Sequence, residues 1–257
     1  RDPDITTIGD MNLAPERAYE APFVECKSLL RVDFQGCTKL TSVGTGAFYG
    51  CSSLTSVVVP DSLTQVGIGA FQACTSLTSV VLPDSLTELG KGAFEHCSSL
   101  MSVVLPDSLT ELGKGAFEHC SSLMSVVLPD NLTGIEEWAF FRCSSLTSVV
   151  LPDSLTHLGE AAFQECTSLT SVVFPDSLTQ IGDGAFVRCT SLTSMVLPDS
   201  LTQLEKWAFA GCSSVMSVVL PDSAVLGDDV FFECDALLQK AALAGFDTVE
   251  LYLRDRY

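Results

Sequence analysis

The chain has 257 residues, of which 32 are acidic and 13 are basic, so its formal net charge is −19. With 47 % hydrophobic and only 18 % charged residues, it is too apolar to be a disordered acidic tail. The acidic balance excludes a nucleic-acid-binding face, which needs basic side chains, and argues against binding to an anionic membrane surface. No apolar run approaches the roughly 18 residues of a membrane-spanning helix, so membrane insertion is not expected.

The first 25 residues show no repeat and contain three prolines, at positions 3, 15 and 22. We expect an extended N-terminal arm over residues 1–25, either loosely docked or ordered by a partner. If Arg1 is a natural terminus, a targeting segment has been removed before it. That expectation fits either the extracellular space and cell surface or an organelle lumen.

Residues 26–53 are predicted to form a divergent capping repeat. Cys26 and Cys37 each begin a Cys-x-x-Leu junction, but the spacing differs from that of the rest of the chain. Seven regular repeats of 23 residues follow over residues 54–214. A fixed period of this size is the signature of a solenoid, in which each coil stacks on its neighbours. The period is visible in the prolines at 60, 83, 106, 129, 152, 175, 198 and 221.

Residues 77–99 (LTSVVLPDSLTELGKGAFEHCSS) represent one repeat. The pattern predicts a short strand at 79–82, a Pro-Asp turn, a second extended or tightly turned segment, and a short helical turn before the cysteine. Repeats 79–101 and 102–124 are identical, so they present the same groups in rows, whereas a catalytic centre needs different groups that converge. The inward-facing side chains are predicted to be Leu77, Val80, Leu82, Leu86, Leu89, Ala93, Phe94 and Cys97.

The pattern L-x-x-V-x-L-P-x-x-L-x-x-L-x-x-x-A-F-x-x-C-x-x resembles the BspA-type (Treponema-type) leucine-rich repeat over about residues 29–236. The resemblance implies a leucine-rich-repeat solenoid with a parallel sheet on its concave face and short helical turns on the other side. It also implies a protein-binding or adhesive role, often on microbial or protist surfaces, and no shared catalytic residues. The chain departs from common leucine-rich repeats at the Asn/Cys ladder position, where it has Ser85 and its equivalents, with Asn131 once.

Residues 215–257 are predicted to contain a repeat shortened by one residue and then a helix–strand cap. A helix is expected over 235–244, with Asp235 as a possible N-cap and Gly245 as the stop. The alternation of apolar residues at 249, 251 and 253 predicts a final strand.

Two sets of side chains are candidates for partner binding. The outward side of the predicted strands carries an unbroken Ser column and an unbroken Val column, and Met replaces Thr in the neighbouring column of some repeats. These columns either favour strand formation or form a flat binding surface. Trp138 and Trp207 follow a Glu-x pattern where most repeats have Gly-x-Gly; they either cover the neighbouring coil or anchor a partner. The candidates of the first set are Ser79, Val81, Met101, Val104, Met124, Val127, Val150 and Val173.

The residues between Phe and Cys vary from repeat to repeat, as in Gln164-Glu165, Val187-Arg188 and Ala210-Gly211. If partner choice is encoded in the regular repeats, a varying column is a better candidate than an invariant one. The alternative is an unconstrained solvated turn.

An aspartate follows each repeat proline. These side chains either accept hydrogen bonds in the turn or form a weak Ca²⁺ candidate, with Asp84, Asp107, Asp130 and Asp153 as its members. The repeat cysteines are expected to be buried as small hydrophobes, while Cys26 and Cys37 lie outside the regular column and could pair. His96 and His119 stack in adjacent repeats, but a metal there is not expected, and no catalytic or cofactor-binding residue is predicted.

The sequence therefore predicts a non-enzymatic protein–protein interaction scaffold without a cofactor. It would act as a surface adhesin or as an accessory subunit of a larger assembly, with protein partners and neither nucleic acid nor membrane insertion. The alternative is recognition of a regular surface, such as ice, mineral or glycan, by the Ser/Val array.

Overall fold

A computed structural model describes residues 23–254 and the strand Thr7–Ile8. Residues 1–6, 9–22 and 255–257 lie outside the described residues, and so does most of the expected arm at 1–25. The rest is a solenoid of stacked coils with a period of about 23 residues. Thr7 pairs with Ser42 and Ile8 with Val43, so the first strand joins a parallel ladder.

The first ladder consists of three-residue parallel strands, one from each coil. In Ser79–Val81 the middle Val80 is buried while Ser79 and Val81 are exposed, because neighbouring side chains of a strand point to opposite faces. The ladder divides into a five-stranded sheet and two pairs. Its strands are Arg31–Asp33, Ser56–Val58, Ser79–Val81, Ser102–Val104, Ser125–Val127, Ser148–Val150, Ser171–Val173, Ser194–Val196 and Ser217–Val219.

A second ladder of two-residue strands confirms the second extended segment of each repeat. Between the ladders, the Ser85 hydroxyl donates to the Leu63 carbonyl of the preceding coil at 2.6 Å, and Leu89 points into the core. Serine at the position of the usual Asn therefore still links one coil to the next by a hydrogen bond. The strands are Thr7–Ile8, Ser42–Val43, Gln65–Val66, Glu88–Leu89, Glu111–Leu112, Gly134–Ile135, His157–Leu158, Gln180–Ile181, Gln203–Leu204 and Val225–Leu226.

The segment before each cysteine is a series of turns, and the expectation of a short helical turn was wrong. The Ala93 N–H donates to the Gly90 carbonyl of its own coil at 3.1 Å, but the Phe94 N–H donates to Ala116 of the next coil at 2.9 Å. In a helix, every backbone N–H would instead donate to a carbonyl of the same coil. The alternation needs left-handed residues such as Gly92, whose φ is +60°. Ala93 and Phe94 are nevertheless both fully buried, as predicted.

The centre of the core is a column of phenylalanine rings. Neighbouring rings lie nearly parallel, with centroids 5.1 to 6.0 Å apart, from Phe23 to Phe231. Each ring between the two ends of the column is therefore covered on both sides by the rings of the adjacent coils. No single coil could bury its own ring in this way, so the core exists only in the stack.

A cysteine column runs beside the rings. The Cys97 thiol donates to the Phe71 carbonyl at 3.2 Å, and the equivalent bonds recur along the stack. Burial raises the pKa of Cys74 to about 12, so this thiol stays protonated near neutral pH. These cysteines act as small buried hydrophobes, as expected.

The suggested pairing of Cys26 with Cys37 is not formed. Cys26 accepts the Leu29 N–H as Cys51 accepts that of Leu54, so Cys26 begins the cysteine column. Cys37 instead takes the place of a repeat proline, because the Ser62 hydroxyl donates to the Leu40 carbonyl at 2.7 Å as Ser85 donates to Leu63. The two thiols therefore occupy different corners of the first coil, and both are free.

The helix α1 (Asp235–Leu243) covers the C-terminal end of the stack and buries Leu237 and Ala241. Its N-cap is Cys234, without a side-chain cap bond, so the expected capping role of Asp235 was wrong. Asp235 instead lies in the first turn, where its carboxylate faces the positive end of the helix dipole.

The last described segment is the helix α2 (Val249–Arg254), and the expected final strand was wrong. Val249, Tyr252 and Leu253 are buried, at the spacing of three and four residues that belongs to one helix face. Leu251, which the alternation placed with the inward residues, is exposed. Packing of α2 against α1 decides between the two patterns.

Candidate functional site

Two surfaces of the described chain are candidates for contact with a partner. The first, called the strand face here, comprises the outward Ser and Val side chains of the three-residue strands together with the neighbouring methionines. Its regular valines are between 56 % and 79 % exposed, and Met101 and Met124 are also exposed. The valines in this range are Val81, Val104, Val127, Val150, Val173 and Val196.

Backbone pairing holds the strand face in register. Ser102 pairs with Ser125, Val104 pairs with Val127, and the Met124 N–H donates to the Met101 carbonyl at 2.9 Å. Equivalent side chains therefore stand about 4.8 Å apart, the spacing of neighbouring strands. At the N-terminal end the face stops at the charged strand Arg31–Asp33. The result is an apolar strip with a row of serine hydroxyl groups along one side.

The two tryptophans project from the turn segments. Trp138 and Trp207 take the place of Gly92, and they keep its left-handed backbone, with φ values of +59° and +57°. A bulky residue rarely adopts this conformation, so both positions carry local strain. Their exposed fractions are 36 % and 45 %.

Each tryptophan ring holds a lysine of its own chain. The Lys114 ammonium lies 4.5 Å from the centroid of the Trp138 ring, and the Lys206 ammonium lies 3.9 Å from that of Trp207. Both geometries are cation–π contacts. Lys114 also forms an ion pair with Glu137.

A cleft of about 470 Å³ opens beside Trp207, and it is called the Trp207 cleft here. The residues that replace Trp in the two preceding coils are Ala161 and Gly184, so their small size leaves the space open. Phe232 of the following coil adds a second aromatic wall. Trp138 does not line this cleft, so the two tryptophans do not share one binding site there.

The polar lining of the Trp207 cleft comes mostly from acidic side chains. Glu160, Asp183 and Glu233 contribute carboxylates, and Arg188 contributes one guanidinium. The variable column between Phe and Cys also takes part, through Gln164 and Val187. The sequence analysis identified the variable column and the two tryptophans as separate features. It did not predict the cleft, because residues from four coils meet there only when the coils stack.

The aspartates of the calcium candidate, Asp84, Asp107, Asp130 and Asp153, are all exposed. Within the described part of the chain, no three His, Cys, Asp or Glu side chains come together in a metal-binding group. His96 and His119 stack with ring centroids 4.4 Å apart, and each lies near the glutamate that precedes it. Calcium binding therefore gains no support from the geometry.

The regular columns connect this architecture to a known family. A model described as the BspA type leucine rich repeat region matches residues 18–147 and 110–238, in six copies. The chain belongs to this family. The family and its fold are typically those of non-enzymatic scaffolds, and leucine-rich-repeat proteins generally mediate protein binding.

Solved structures of bacterial leucine-rich-repeat proteins are similar to this chain. The T. pallidum leucine rich repeat protein is 30 % identical, with 81 % of this chain and 78 % of that chain covered and a TM-score of 0.46. A Bacteroides ovatus leucine-rich repeat protein is 25 % identical, with 89 % and 84 % covered and a TM-score of 0.41. The pneumococcal vaccine antigen PcpA is 21 % identical, with 76 % and 58 % covered and a TM-score of 0.51.

A comparison with curated proteins finds no match. Among residues 23–254, neither helix is long and apolar enough to cross a membrane.

Proposed function

We propose that this chain is a non-enzymatic protein-binding scaffold and that the strand face is its principal contact surface. The observation that carries the proposal is the row of consecutive valines that are more than half exposed. Isolated exposed apolar residues are ordinary, but a contiguous apolar strip is typical of interaction surfaces.

The register of the strand face supports this function. Because ladder hydrogen bonds hold each strand, a partner would meet a surface that is already ordered, and the entropy lost on association would be small. A partner with an apolar strip of its own would exclude water from the valines, and the serine hydroxyls would supply hydrogen bonds along one side. This chemistry suits a protein surface.

The proposal extends to two settings. The chain would serve either as a surface adhesin, outside the cell, or as an accessory subunit of a larger assembly, including one in an organelle lumen. Affinity capture under native conditions followed by mass spectrometry distinguishes them: a defined stoichiometric complex favours the subunit, and extracellular matrix proteins favour the adhesin.

The double variant Val104→Lys, Val127→Lys tests the proposed surface. It places two charges in the middle of the strand face and should abolish capture of the partner. Val225→Lys is the matched control, because Val225 is an equally exposed valine on a strand of the second ladder. Equal capture by the double variant and the wild type would contradict the proposal.

A second function is favoured by the regular spacing alone. A uniform Ser/Val array could match a repeating lattice such as ice or a crystalline glycan. Thermal hysteresis and retention on insoluble polysaccharide test it directly, and the same double variant should abolish either effect if the strand face is responsible.

A further inference from the structure

The Trp207 cleft offers a second interaction site on a different part of the coil. We propose that it binds a basic segment of a partner protein. The aliphatic stem of a lysine or arginine would lie against Trp207, and its charged end would sit among the carboxylates of Glu160, Asp183 and Glu233. This inference goes beyond the proposed function, because it uses neither the strand face nor its residues.

The shape of the cleft suits a long side chain. A volume of about 470 Å³ exceeds what one side chain needs, so part of the neighbouring backbone could also enter. Ala161 and Gly184 form a buried floor, and a Cβ atom added at Gly184 would lie 3.1 Å from the Val187 side chain. The openness of the site therefore depends on two small residues that stand where other coils have Trp.

The walls and the rim select for a cation with an apolar stem. Trp207 and Phe232 provide aromatic surface, while the lining carries three carboxylates against the single guanidinium of Arg188. Lysine and arginine side chains bury their stems on apolar surface and keep the charge at the end, and aromatic rings attract such cations. A net charge of −19 on the chain would also draw a basic partner towards it.

Lys206 shows that the Trp207 ring already accepts a cation. Its ammonium lies 3.9 Å from the ring centroid, yet Lys206 does not belong to the lining of the cleft. A cation from outside the chain would contact Trp207 as a lining residue of the cleft.

Trp207 stands at a position where most other coils have glycine. Glycines occupy the equivalent position in other coils at nearly the same φ, +60° at Gly92, +61° at Gly115 and +58° at Gly184. Tryptophan is strained in this conformation, so the coil itself favours glycine there. At this position Trp207 gives the cleft an aromatic wall that glycine could not supply.

The two tryptophans make the site directly measurable, since the chain contains no others. In the Trp138→Phe variant, Trp207 is the sole tryptophan reporter. Titration of the full chain with a hexa-arginine peptide should change its fluorescence saturably, and a hexa-glutamine peptide should not. In the Trp207→Phe variant, the remaining Trp138 should report no change. High salt should weaken the binding, because the attraction is electrostatic.

Charge variants separate a built site from general attraction to an acidic protein. Asp183→Asn with Glu233→Gln should weaken peptide binding by about tenfold in calorimetry, as expected for two lost charge contacts. Asp107→Asn with Asp130→Asn removes the same charge elsewhere and should leave the affinity unchanged. Equal weakening by the two pairs, or no saturable signal from Trp207, would overturn the proposal.

Two further variants keep the test independent of folding and of the strand face. Trp207→Gly should lose peptide binding while the protein stays folded, since glycine is native at this position in other coils. Val104→Lys with Val127→Lys should bind the peptide as the wild type does. If the peptide does not bind at the cleft while the strand face still captures its partner, only the present inference is overturned.

Discussion

His96 and His119 stack face to face across adjacent coils, with ring centroids 4.4 Å apart and an interplanar angle of 17°. The contact follows from the identity of the two repeats, which places the same side chain at the same position 23 residues apart. Burial lowers the pKa of His119 below its ordinary value of 6.5, and the neighbouring His96 and then Arg142 lower it further. Protonation of His119 is therefore less favourable in the folded state than in the unfolded chain.

The stack predicts a pH-dependent loss of stability. Just below pH 6.5 the unfolded chain binds a proton at position 119 that the folded protein does not, so the free energy of unfolding should fall as the pH falls through this window. Urea denaturation from about pH 7.5 to about pH 5.5 measures the slope. His119→Gln should flatten it, and His157→Gln, in another column, should not.

Protonation of Glu118 has the opposite effect on the free energy of unfolding, at lower pH. Burial raises its pKa above 4.5, and the Glu95 carboxylate raises it further, so the folded protein binds more protons than the unfolded chain just above that value. The His119 slope should therefore be measured before this contribution begins. A slope that survives in His119→Gln would contradict the assignment.

The phenylalanine column predicts a large loss of stability on truncation. Phe117 is fully buried, with the rings of Phe94 and Phe140 at 5.5 and 5.7 Å. Phe117→Ala should lower the free energy of unfolding by about 3–5 kcal/mol, because it opens a cavity in the middle of the stack. Phe232→Ala removes an exposed ring and should cost no more than about 1 kcal/mol. If chemical denaturation gave equal losses in the free energy of unfolding for the two variants, the phenylalanine column would not be the centre of the core.

The cysteine column predicts selective thiol reactivity. Of the eleven free thiols, only Cys26 and Cys37 are partly exposed, and burial raises the pKa of the repeat thiols, for Cys234 to about 12. A thiol reagent at neutral pH should modify two cysteines in the native protein and all eleven after denaturation. Mass spectrometry identifies the sites. Rapid native modification of any repeat cysteine would show that the stack opens more readily than its packing implies.

The serine hydroxyls that bind the preceding coil, such as those of Ser85 and Ser154, predict a smaller, local effect on stability. The Ser154 hydroxyl donates to the Leu132 carbonyl at 2.7 Å, which ties two coils together at the corner between the ladders. Ser154→Ala should cost about 1 kcal/mol, the usual net value of one hydrogen bond. Ser148→Ala changes an exposed serine of the strand face and should stay within about 0.5 kcal/mol. A urea midpoint shifted equally by both would argue against this role of the serine hydroxyls.

Local packing explains where prediction from the sequence failed. The alternation at Val249, Leu251 and Leu253 is compatible with a strand, but burial of Tyr252 beside Phe246 and packing of α2 against α1 select a helix. The cysteines of the first coil look alike in sequence, yet only Cys37 lies at the corner where Ser62 of the next coil binds, through the Leu40 carbonyl. In each case one sequence pattern is compatible with two structural positions, and contacts from elsewhere in the chain decide between them.

The sequence by itself determined the solenoid, the inward columns and the outward Val column. A strict period makes every coil offer the same face to the next, so the inward side chains can be named from one repeat. Only the tertiary structure decided that the segment before each cysteine alternates its hydrogen bonds between coils, and that Trp207 borders a cleft while Trp138 does not. The cleft depends on how Ala161, Gly184 and Phe232 stack around one ring, and stacking joins residues that lie far apart in the chain.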